Sequence, residues 1–456
     1  MTANNMKTPV CDFVRKYAES ESLRLHMPGH KGKRLLGFES LDITEIEGAD
    51  VLYSAKGIIR DSEENASTIF GTAKTMYSAE GSSLSIRAML YLASLWGRSE
   101  GKDMTVIAAR NAHRVFMSGC ALLDLDVEWM YGESNSLCSC NINAEILEKA
   151  ISDTERIGKK PFAVYLTSPD YLGNMLDISA LSSVCRRHGI LCLVDNAHGA
   201  YLGFLKSSKH PIALGAHMCA DSAHKTLPAI TGAAYLHISK DAPLLLCEQA
   251  ERALSLFAST SPSYLILQSL DALNAYLADG YREKLSKFIP KVNALKERLS
   301  SKGYSLVGDE PLKLTVKAGA YGYTGEELGN ILLENGIVCE FCDRDYIVMM
   351  LTPEIDDREL SHLSDTLTSI QKKTPLSESA PSIAAHEKAL SIREALMAKS
   401  ITLPLTQCKG RILADAAFSC PPAIPIVVCG ELMDDSAIEA MTYYGITECR
   451  VVDKSN

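Results

Sequence analysis

The 456-residue sequence lacks several features that would each define a class of protein. No apolar run approaches the roughly 18 residues typical of a transmembrane helix, and the N-terminus has no apolar core of the kind that signal peptides carry. The formal net charge of −10 gives no basic excess for binding nucleic acid or an anionic membrane. We therefore expect a cytoplasmic protein that binds neither.

The 14 cysteines also lack a pattern, because their spacing fits no disulfide framework. Cys138 and Cys140 are too close in sequence for an ordinary zinc site, so no metal site is predicted. Hydrophobic residues make up 46% of the chain and charged residues 22%, which excludes disordered and fibrous proteins. This composition is sufficient for two or three globular domains.

Strands and helices alternate from about residue 70 to residue 280, which predicts a largely parallel sheet covered by helices on both faces. The predicted strands are 105–109, 127–131, 162–166, 190–194 and 216–220, and the predicted helices include 143–152 and 178–188. A smaller α/β unit with strands at 312–316 and 346–351, a Ser/Pro-rich linker at 374–382 and a helix at 386–400 follow. The predicted domains are 1–280, 281–375 and 376–456.

Lys225 and Asp195 indicate the chemistry. Lys225 lies among small, hydroxyl and imidazole side chains, and a desolvated lysine amine can form a Schiff base with an aldehyde cofactor. Asp195 ends a buried strand, where open α/β sheets bind ligands, and a carboxylate there can keep a pyridine nitrogen protonated. Together they predict pyridoxal 5'-phosphate, although a lone lysine of this kind is more often a solvated surface residue.

A phosphate needs backbone N–H groups and hydroxyls at the start of a helix. Gly81, Ser82 and Ser83 open a stretch with helical spacing, and we expect them to bind the cofactor phosphate. Taken alone, the serines would read as a helix N-cap. Ser222 and His224 flank the lysine and could donate to the same phosphate.

Three further residues lie in loops that follow strands. His113 follows strand 105–109, where its imidazole could stack on the pyridine ring, although a structural role is the common alternative. His198 is expected at the cofactor edge or the substrate. Ala197 is small enough to let the ring approach the backbone.

Five segments together resemble the bacterial ornithine/lysine/arginine decarboxylases. They are Leu25-His26-Met27-Pro28-Gly29-His30-Lys31-Gly32, Arg110-Asn111-Ala112-His113, Asp195-Asn196-Ala197-His198, Ser222-Ala223-His224-Lys225-Thr226-Leu227-Pro228 and Ser259-Thr260-Ser261-Pro262-Ser263. The resemblance runs over nearly the whole chain, which is similar to the short form without the N-terminal wing domain. It implies an α/β, aspartate-aminotransferase-like fold, with a mostly parallel seven-stranded sheet flanked by helices and a smaller C-terminal α/β domain.

The resemblance also implies roles for individual residues. Lys225 would carry the internal aldimine, Asp195 would pair with the pyridine nitrogen and His113 would stack on the ring. The phosphate would be held by Ser82, Ser83, Ser222 and His224. The loop with Thr260 and Ser261 would reach the substrate site of a partner subunit in a homodimer or a higher oligomer, and Glu340 would bind the distal cation of a basic amino acid.

The chain departs from the family pattern at Ala423 and Cys429, and Glu80 precedes the phosphate loop. The expected activity is decarboxylation of lysine, ornithine or arginine to a polyamine precursor and carbon dioxide. The alternatives are an aminotransferase or aldolase of the same fold, or an inactive regulatory protein that binds the cofactor. An aminotransferase would need an arginine for the substrate carboxylate, for which Arg344 and Arg358 are candidates.

Overall fold

The structure is a computed structural model that describes residues 6–132, 135–378, 380–416 and 422–453. The helices, in chain order, are α1 (Pro9–Glu19), α2 (Ile58–Phe70), α3 (Gly81–Ser99), α4 (Arg114–Leu123), α5 (Ala144–Arg156), α6 (Ile178–Arg187), α7 (Ala223–Thr226), α8 (Leu244–Ser255), α9 (Tyr264–Ala278), α10 (Tyr281–Ser301), α11 (Gly325–Glu334), α12 (Asp357–Ser369), α13 (Ile392–Met397) and α14 (Asp435–Tyr443). None of these is long and apolar enough to span a membrane.

The strands, in chain order, are β1 (Lys74–Ser78), β2 (Thr105–Ala109), β3 (Asp126–Met130), β4 (Asn135–Ser136), β5 (Ser139–Cys140), β6 (Ala163–Thr167), β7 (Leu191–Asp195), β8 (Met218–Asp221), β9 (Ala234–Ile238), β10 (Ser305–Val307), β11 (Lys313–Lys317), β12 (Phe341–Cys342), β13 (Tyr346–Met350), β14 (Ser400–Pro404) and β15 (Glu448–Val452). The predicted strands are all present with small shifts in their bounds. β1 is absent from that prediction, because its residues mix polar and apolar side chains without a clear period.

The large sheet has seven strands in the order β1-β9-β8-β7-β6-β2-β3. β7 runs parallel to β8, and β2 runs parallel to both β6 and β3. β9 is antiparallel to its two neighbours, β8 and β1. Every residue of β2 and β7 is buried, as expected for strands covered on both faces. The prediction of a mostly parallel, seven-stranded sheet is confirmed.

By packing, the chain divides into two compact units. One contains Met1–Gly101 and Cys185–Ser286, and the other contains Lys102–Val184 and Lys287–Asn456. The domain boundaries predicted after residues 280 and 375 are a different division of the chain, and they stay predictions.

In the first unit, a buried polar network joins α2 and α9 to β1. Ser62 Oγ donates to Asp271 Oδ1 (2.5 Å) and lies 2.7 Å from Tyr77 Oη, which also accepts from Asn274 Nδ2 (2.7 Å). Glu63 is 6% exposed, and its Oε1 accepts the N–H of Tyr77 (2.8 Å). Because buried polar groups are costly unless they are bonded, this network fixes the orientation of α2.

The second unit contains a four-stranded antiparallel sheet in the order β10-β11-β13-β12. Helix α11 packs on β13 of this sheet, which fits the predicted smaller α/β domain. β14 and β15 pair antiparallel, and their region has a core that includes Leu413, Val427, Met441 and Val451. In the described part of the predicted linker, 374–378 and 380–382, no helix or strand is assigned.

The predicted helix at 386–400 is wrong in its extent. Only Ile392–Met397 is helical, and Ser400 already begins β14. Before the helix, Lys388 bridges to Glu431, and the N–H of Ala389 donates to the carbonyl of Gly430 (3.0 Å). This pairing with a distant segment overrides the local helical pattern. The helix then starts at the Ser391 capping box.

Candidate functional site

Asp195 is the last residue of β7 and is 3% exposed. The apolar residues before it form a buried strand parallel to β8, so Asp195 lies at the carboxyl edge of the sheet, as predicted. Its Oδ1 accepts the N–H of Ala197 (3.2 Å), and Ala197 is itself buried. The turn after β7 therefore holds a carboxylate in a protected position.

Lys225 lies on the short helix α7, which begins two residues after β8 ends. Its Nζ is 3.1 Å from Nε2 of His198, which lies in the turn after β7 and is 6% exposed. Because β7 and β8 are adjacent parallel strands, their carboxyl ends bring Asp195, His198 and Lys225 to the same edge. The imidazole is close enough to exchange a proton with the amine.

The predicted phosphate loop is the first turn of α3. Helix α3 begins at Gly81, where φ is +70°, and the Gly81 N–H donates to the carbonyl of Gly232 (2.7 Å). The Ser222 hydroxyl donates to Ser82 Oγ (2.8 Å), so hydroxyls from two distant segments meet at a helix N-terminus. Ser83 follows in the same turn. This arrangement suits a phosphate.

Two contacts of this region concern His224 and Gly232. His224 Nδ1 lies 2.9 Å from the carbonyl oxygen of Ala233, so the backbone holds one ring nitrogen of the imidazole. Gly232 is a residue that sequence reasoning missed. A Cβ there would lie 3.0 Å from Ile266 Cδ1 and 3.3 Å from the Ala79 carbonyl oxygen. The glycine in an otherwise apolar run is the signal that could have found it.

Thr260 and Ser261 are exposed and lie in the loop before α9. The loop is tied to the phosphate turn, because the Ser259 N–H donates to Oε1 of Glu80 (2.7 Å). Glu80, a departure from the family pattern, therefore has a structural partner. Whether the loop also serves a partner subunit stays a prediction.

His113 and Glu340 lie in the second unit. His113 is the N-cap of α4, and its Nδ1 accepts the N–H of Val115 (3.2 Å). Glu340 is exposed and accepts a hydrogen bond from Tyr171 Oη (3.1 Å). His113 thus has a structural role as the cap of α4, and its stacking on the cofactor ring stays a prediction.

The two arginines considered for a transaminase differ in their surroundings. Arg344 pairs with Glu378, and its guanidinium lies 4.8 Å from the ring centroid of Tyr443. Arg358 is exposed on α12. Because Arg344 already has an anionic partner, it is a poor candidate for binding a substrate carboxylate.

The departure at Ala423 has a conformational consequence. Its φ is +56°, in the left-handed region that glycine tolerates best, and its carbonyl accepts the N–H of Arg114 (2.8 Å) at the start of α4. Cys429 is buried, and its thiol lies 3.6 Å from the Leu413 carbonyl oxygen. Ala423 is thus a non-glycine residue in a left-handed conformation.

The donor set of the first unit fits pyridoxal phosphate. It offers an amine for the aldehyde in Lys225, a buried carboxylate for the pyridine nitrogen in Asp195, and a helix N-terminus with Ser82 and Ser222 for the phosphate. No single residue identifies the cofactor, but this combination matches three of its chemical groups.

Comparisons with known proteins agree with this chemistry. The family model described as the major domain of Orn/Lys/Arg decarboxylase matches residues 8–307. An arginine decarboxylase of Bacillus subtilis (strain 168) is 27% identical over 471 residues, covering 95% of this chain and 92% of that relative. An arginine decarboxylase of Halalkalibacterium halodurans is also 27% identical, covering 94% and 92%.

Among solved structures, the lysine decarboxylase LdcF of Francisella novicida has a TM-score of 0.80 at 16% identity, covering 99% of this chain and 82% of its own. The constitutive lysine decarboxylase of E. coli has a TM-score of 0.78 at 16% identity, with the same coverage. At these identities the likeness concerns the fold, and it confirms the predicted aspartate-aminotransferase-like class.

Proposed function

Because this chain belongs to the Orn/Lys/Arg decarboxylase family and is therefore a pyridoxal-phosphate-dependent amino-acid decarboxylase, we propose that it removes the α-carboxylate of a basic amino acid. The observation that carries the proposal is the meeting of Asp195, His198 and Lys225 at one sheet edge. Arginine is the first substrate to test, since two relatives are named arginine decarboxylases. Lysine and ornithine are the alternatives.

The proposed chemistry divides between cofactor and protein. When bound, pyridoxal phosphate supplies an electron-poor ring that accepts the electron pair left by the departing carboxylate. Lys225 would hold the cofactor through its ε-amine. Asp195 would pair with the pyridine nitrogen and favour its protonated form. His198, with Nε2 at 3.1 Å from Lys225 Nζ, takes and returns the proton of the lysine amine.

The remaining residues position the reactants. Gly81, Ser82, Ser83, Ser222 and His224 bind the phosphate through backbone N–H groups, hydroxyls and an imidazole. By their motifs, we assign His113 to the face of the ring and Glu340 to the distal cation of the substrate. The Glu340 side chain is exposed and ionisable, so it can pair with an ammonium or a guanidinium.

The test is a three-substrate assay with the purified, cofactor-loaded protein. Arginine, lysine and ornithine are supplied in turn, and carbon dioxide and the product amine are measured together. We expect one of them to give equal amounts of both products. Lys225→Ala should abolish turnover and the imine absorbance near the visible edge. An oxo acid in place of carbon dioxide would identify a transaminase, and no turnover of any of the three would overturn the proposal.

We further propose that the chain acts as a homodimer. Leu23, Leu25, Leu35 and Leu36 are 75% to 83% exposed in the segment that contains the His26-Met27-Pro28-Gly29-His30-Lys31 motif. Several large apolar side chains exposed in one short segment are typical of an association surface. The segment lies in the first unit, which also carries Lys225.

A further inference from the structure

A second cluster of reactive side chains lies on β8, on β9 and in the turn before β8. It consists of His210, Cys219, Asp221 and His237, and no member is more than 2% exposed. Nothing in the proposed decarboxylation uses these residues. Four potential metal ligands that are all buried together require a physical explanation, because buried charges are costly unless they are paired or bound to a metal.

The strand register explains how the four side chains meet. Cys219 and Asp221 are two residues apart on β8, so they project from the same face. His237 is directly opposite Cys219 in the antiparallel pairing of β8 with β9. His210 is added from the preceding turn, with Nε2 2.9 Å from Asp221 Oδ2.

The ligand atoms of His210, Cys219 and Asp221 all lie within 4.8 Å of one another, as one small ion requires, and His237 approaches Asp221 from β9. Cys219 Sγ lies 3.9 Å from His210 Nε2 and 3.7 Å from Asp221 Oδ1. His237 Nε2 lies 3.3 Å from Asp221 Oδ2. A tetrahedral zinc ion, with bonds of about 2.3 Å to sulfur and about 2.0–2.1 Å to nitrogen or oxygen, places its ligand atoms roughly 3.3–3.6 Å apart. Shifts of up to about half an ångström would bring the ligand atoms of His210, Cys219 and Asp221 into this range, and His237 would have to move towards them to become the fourth ligand.

His237 gives an independent indication of a missing partner. Its Nε2 is fully buried and makes no hydrogen bond within the described residues, although it lies 3.3 Å from Asp221 Oδ2. Its Nδ1 is held by Thr75 Oγ1 (2.8 Å), which directs Nε2 towards the carboxylate. Asp221 is in turn held by Asn196 Nδ2 (2.7 Å). Outer hydrogen bonds of this kind orient metal ligands in known sites.

Burial changes the ionisation of two members of the cluster. Burial lowers the pKa of His237 below 6.5, which favours the neutral imidazole that binds metals. Burial also raises the pKa of the Cys219 thiol well above 9.0, and the Asp221 charge adds to this effect. An ion at this position would therefore have to displace the thiol proton.

We propose that His210, Cys219, Asp221 and His237 bind a structural zinc ion. Two histidines, a thiolate and a carboxylate are ligand types that zinc accepts, and four protein ligands leave no open position for catalysis. Because all four are buried, the ion is acquired during folding and ties β9 and the turn at His210 to β8. The ligands come from three separate segments, so no spacing motif in the sequence marks them.

The test measures metal in the untagged, full-length protein produced with zinc or with cobalt in the medium. We expect about one ion per chain that survives gel filtration with a chelator. The cobalt form should show a thiolate charge-transfer band and intense red-region bands of a tetrahedral site, away from the absorbance of pyridoxal phosphate. Cys219→Ser should lose the charge-transfer band and at least ten-fold of the metal. Cys192→Ser, which alters another buried strand cysteine, should retain both.

Two results would overturn the proposal. One is wild-type protein with less than a tenth of an ion per chain and no cobalt bands, which would leave the cluster as a metal-free network of hydrogen bonds. The other is an unchanged metal content in folded Cys219→Ser. If that variant fails to fold, the wild-type metal content and cobalt spectrum decide by themselves. Neither the metal content nor the cobalt spectrum depends on decarboxylase activity, so the test is independent of the proposed function.

Discussion

Glu63→Gln should change how the stability of the protein depends on pH. Glu63 is 6% exposed on α2 and accepts the N–H of Tyr77 (2.8 Å). Burial raises the pKa of Glu63 from 4.5 to about 8, and this outweighs the lowering by the Tyr77 N–H and by the Lys74 charge. Glutamine keeps the acceptor oxygen and the shape of the neutral acid but has no proton to lose.

The magnitude follows from proton linkage. In the unfolded chain the Glu63 carboxyl ionises near pH 4.5, whereas in the folded protein it stays protonated to about pH 8. Stability from the neutral form is therefore fully present below pH 4.5 and is lost as the pH rises to about 8. At about 1.4 kcal/mol per pKa unit, this difference amounts to about 5 kcal/mol in full, of which about 3–4 kcal/mol falls between pH 5 and pH 8.

The assay is urea unfolding at pH 5 and pH 8, followed by circular dichroism. The free energy of unfolding of Glu63→Gln minus that of wild type should increase by about 3–4 kcal/mol between these pH values. The matched control is Glu64→Gln, which alters the exposed neighbour on the same helix and should stay within about 0.5 kcal/mol of wild type. A constant difference between wild type and Glu63→Gln would show that the pKa of Glu63 is not raised in the folded protein.

Three further outcomes are expected. Ala423→Gly should raise the free energy of unfolding by about 0.5–1 kcal/mol, because relieving the left-handed conformation of an alanine (about 1–2 kcal/mol) exceeds the entropy cost of glycine. The control Ala414→Gly should lower the free energy of unfolding. A lower stability of Ala423→Gly would contradict the left-handed conformation at residue 423. Ser222→Ala should weaken pyridoxal phosphate binding roughly ten-fold or more in a fluorescence titration of cofactor-free protein, and unchanged affinity would remove Ser222 from the phosphate site. Leu25→Asp should halve the mass measured by light scattering, whereas Leu244→Asp, which alters a comparably exposed leucine, should leave the mass unchanged. A variant Leu25→Asp that remains dimeric would exclude the segment around Leu25 as the dimer interface.

The fold was predictable where local pattern and tertiary environment agree. β7 is a continuous apolar run that ends in Asp195, and such a run is buried wherever it pairs, so the strand and its carboxyl end follow from the sequence. The segment before Ser400 shows the opposite case. Its residues have helical spacing, but the pairing of Lys388 with Glu431 depends on a segment more than 40 residues away. Local periodicity carries no information about such a partner.

For the candidate site, the sequence predicted which residues take part more completely than it predicted the contacts between them. The rule that ligands bind beyond strand carboxyl ends groups Asp195, His198 and Lys225, and the structure brings His198 to Lys225. No comparable rule predicts two other hydrogen bonds, the one between the hydroxyls of Ser222 and Ser82 and the one from the Ser259 N–H to Glu80. Both join segments more than 130 residues apart, and their geometry is set by side-chain packing.

The side-chain alternation along β8 limits which changes in chain length the protein can accept. Cys219 and Asp221 occupy one face of the strand, and Lys225 follows Asp221 after only four positions. If one residue within 218–221 is deleted, the strand residues before the deletion point to the opposite face of the sheet, because side chains alternate along a strand. If those residues keep their faces instead, Lys225 moves by about 3.3 Å towards the start of the strand. Insertions and deletions should therefore be absent from 218–225 in descendants of this gene, whereas the exposed loop at 206–209 should accept them.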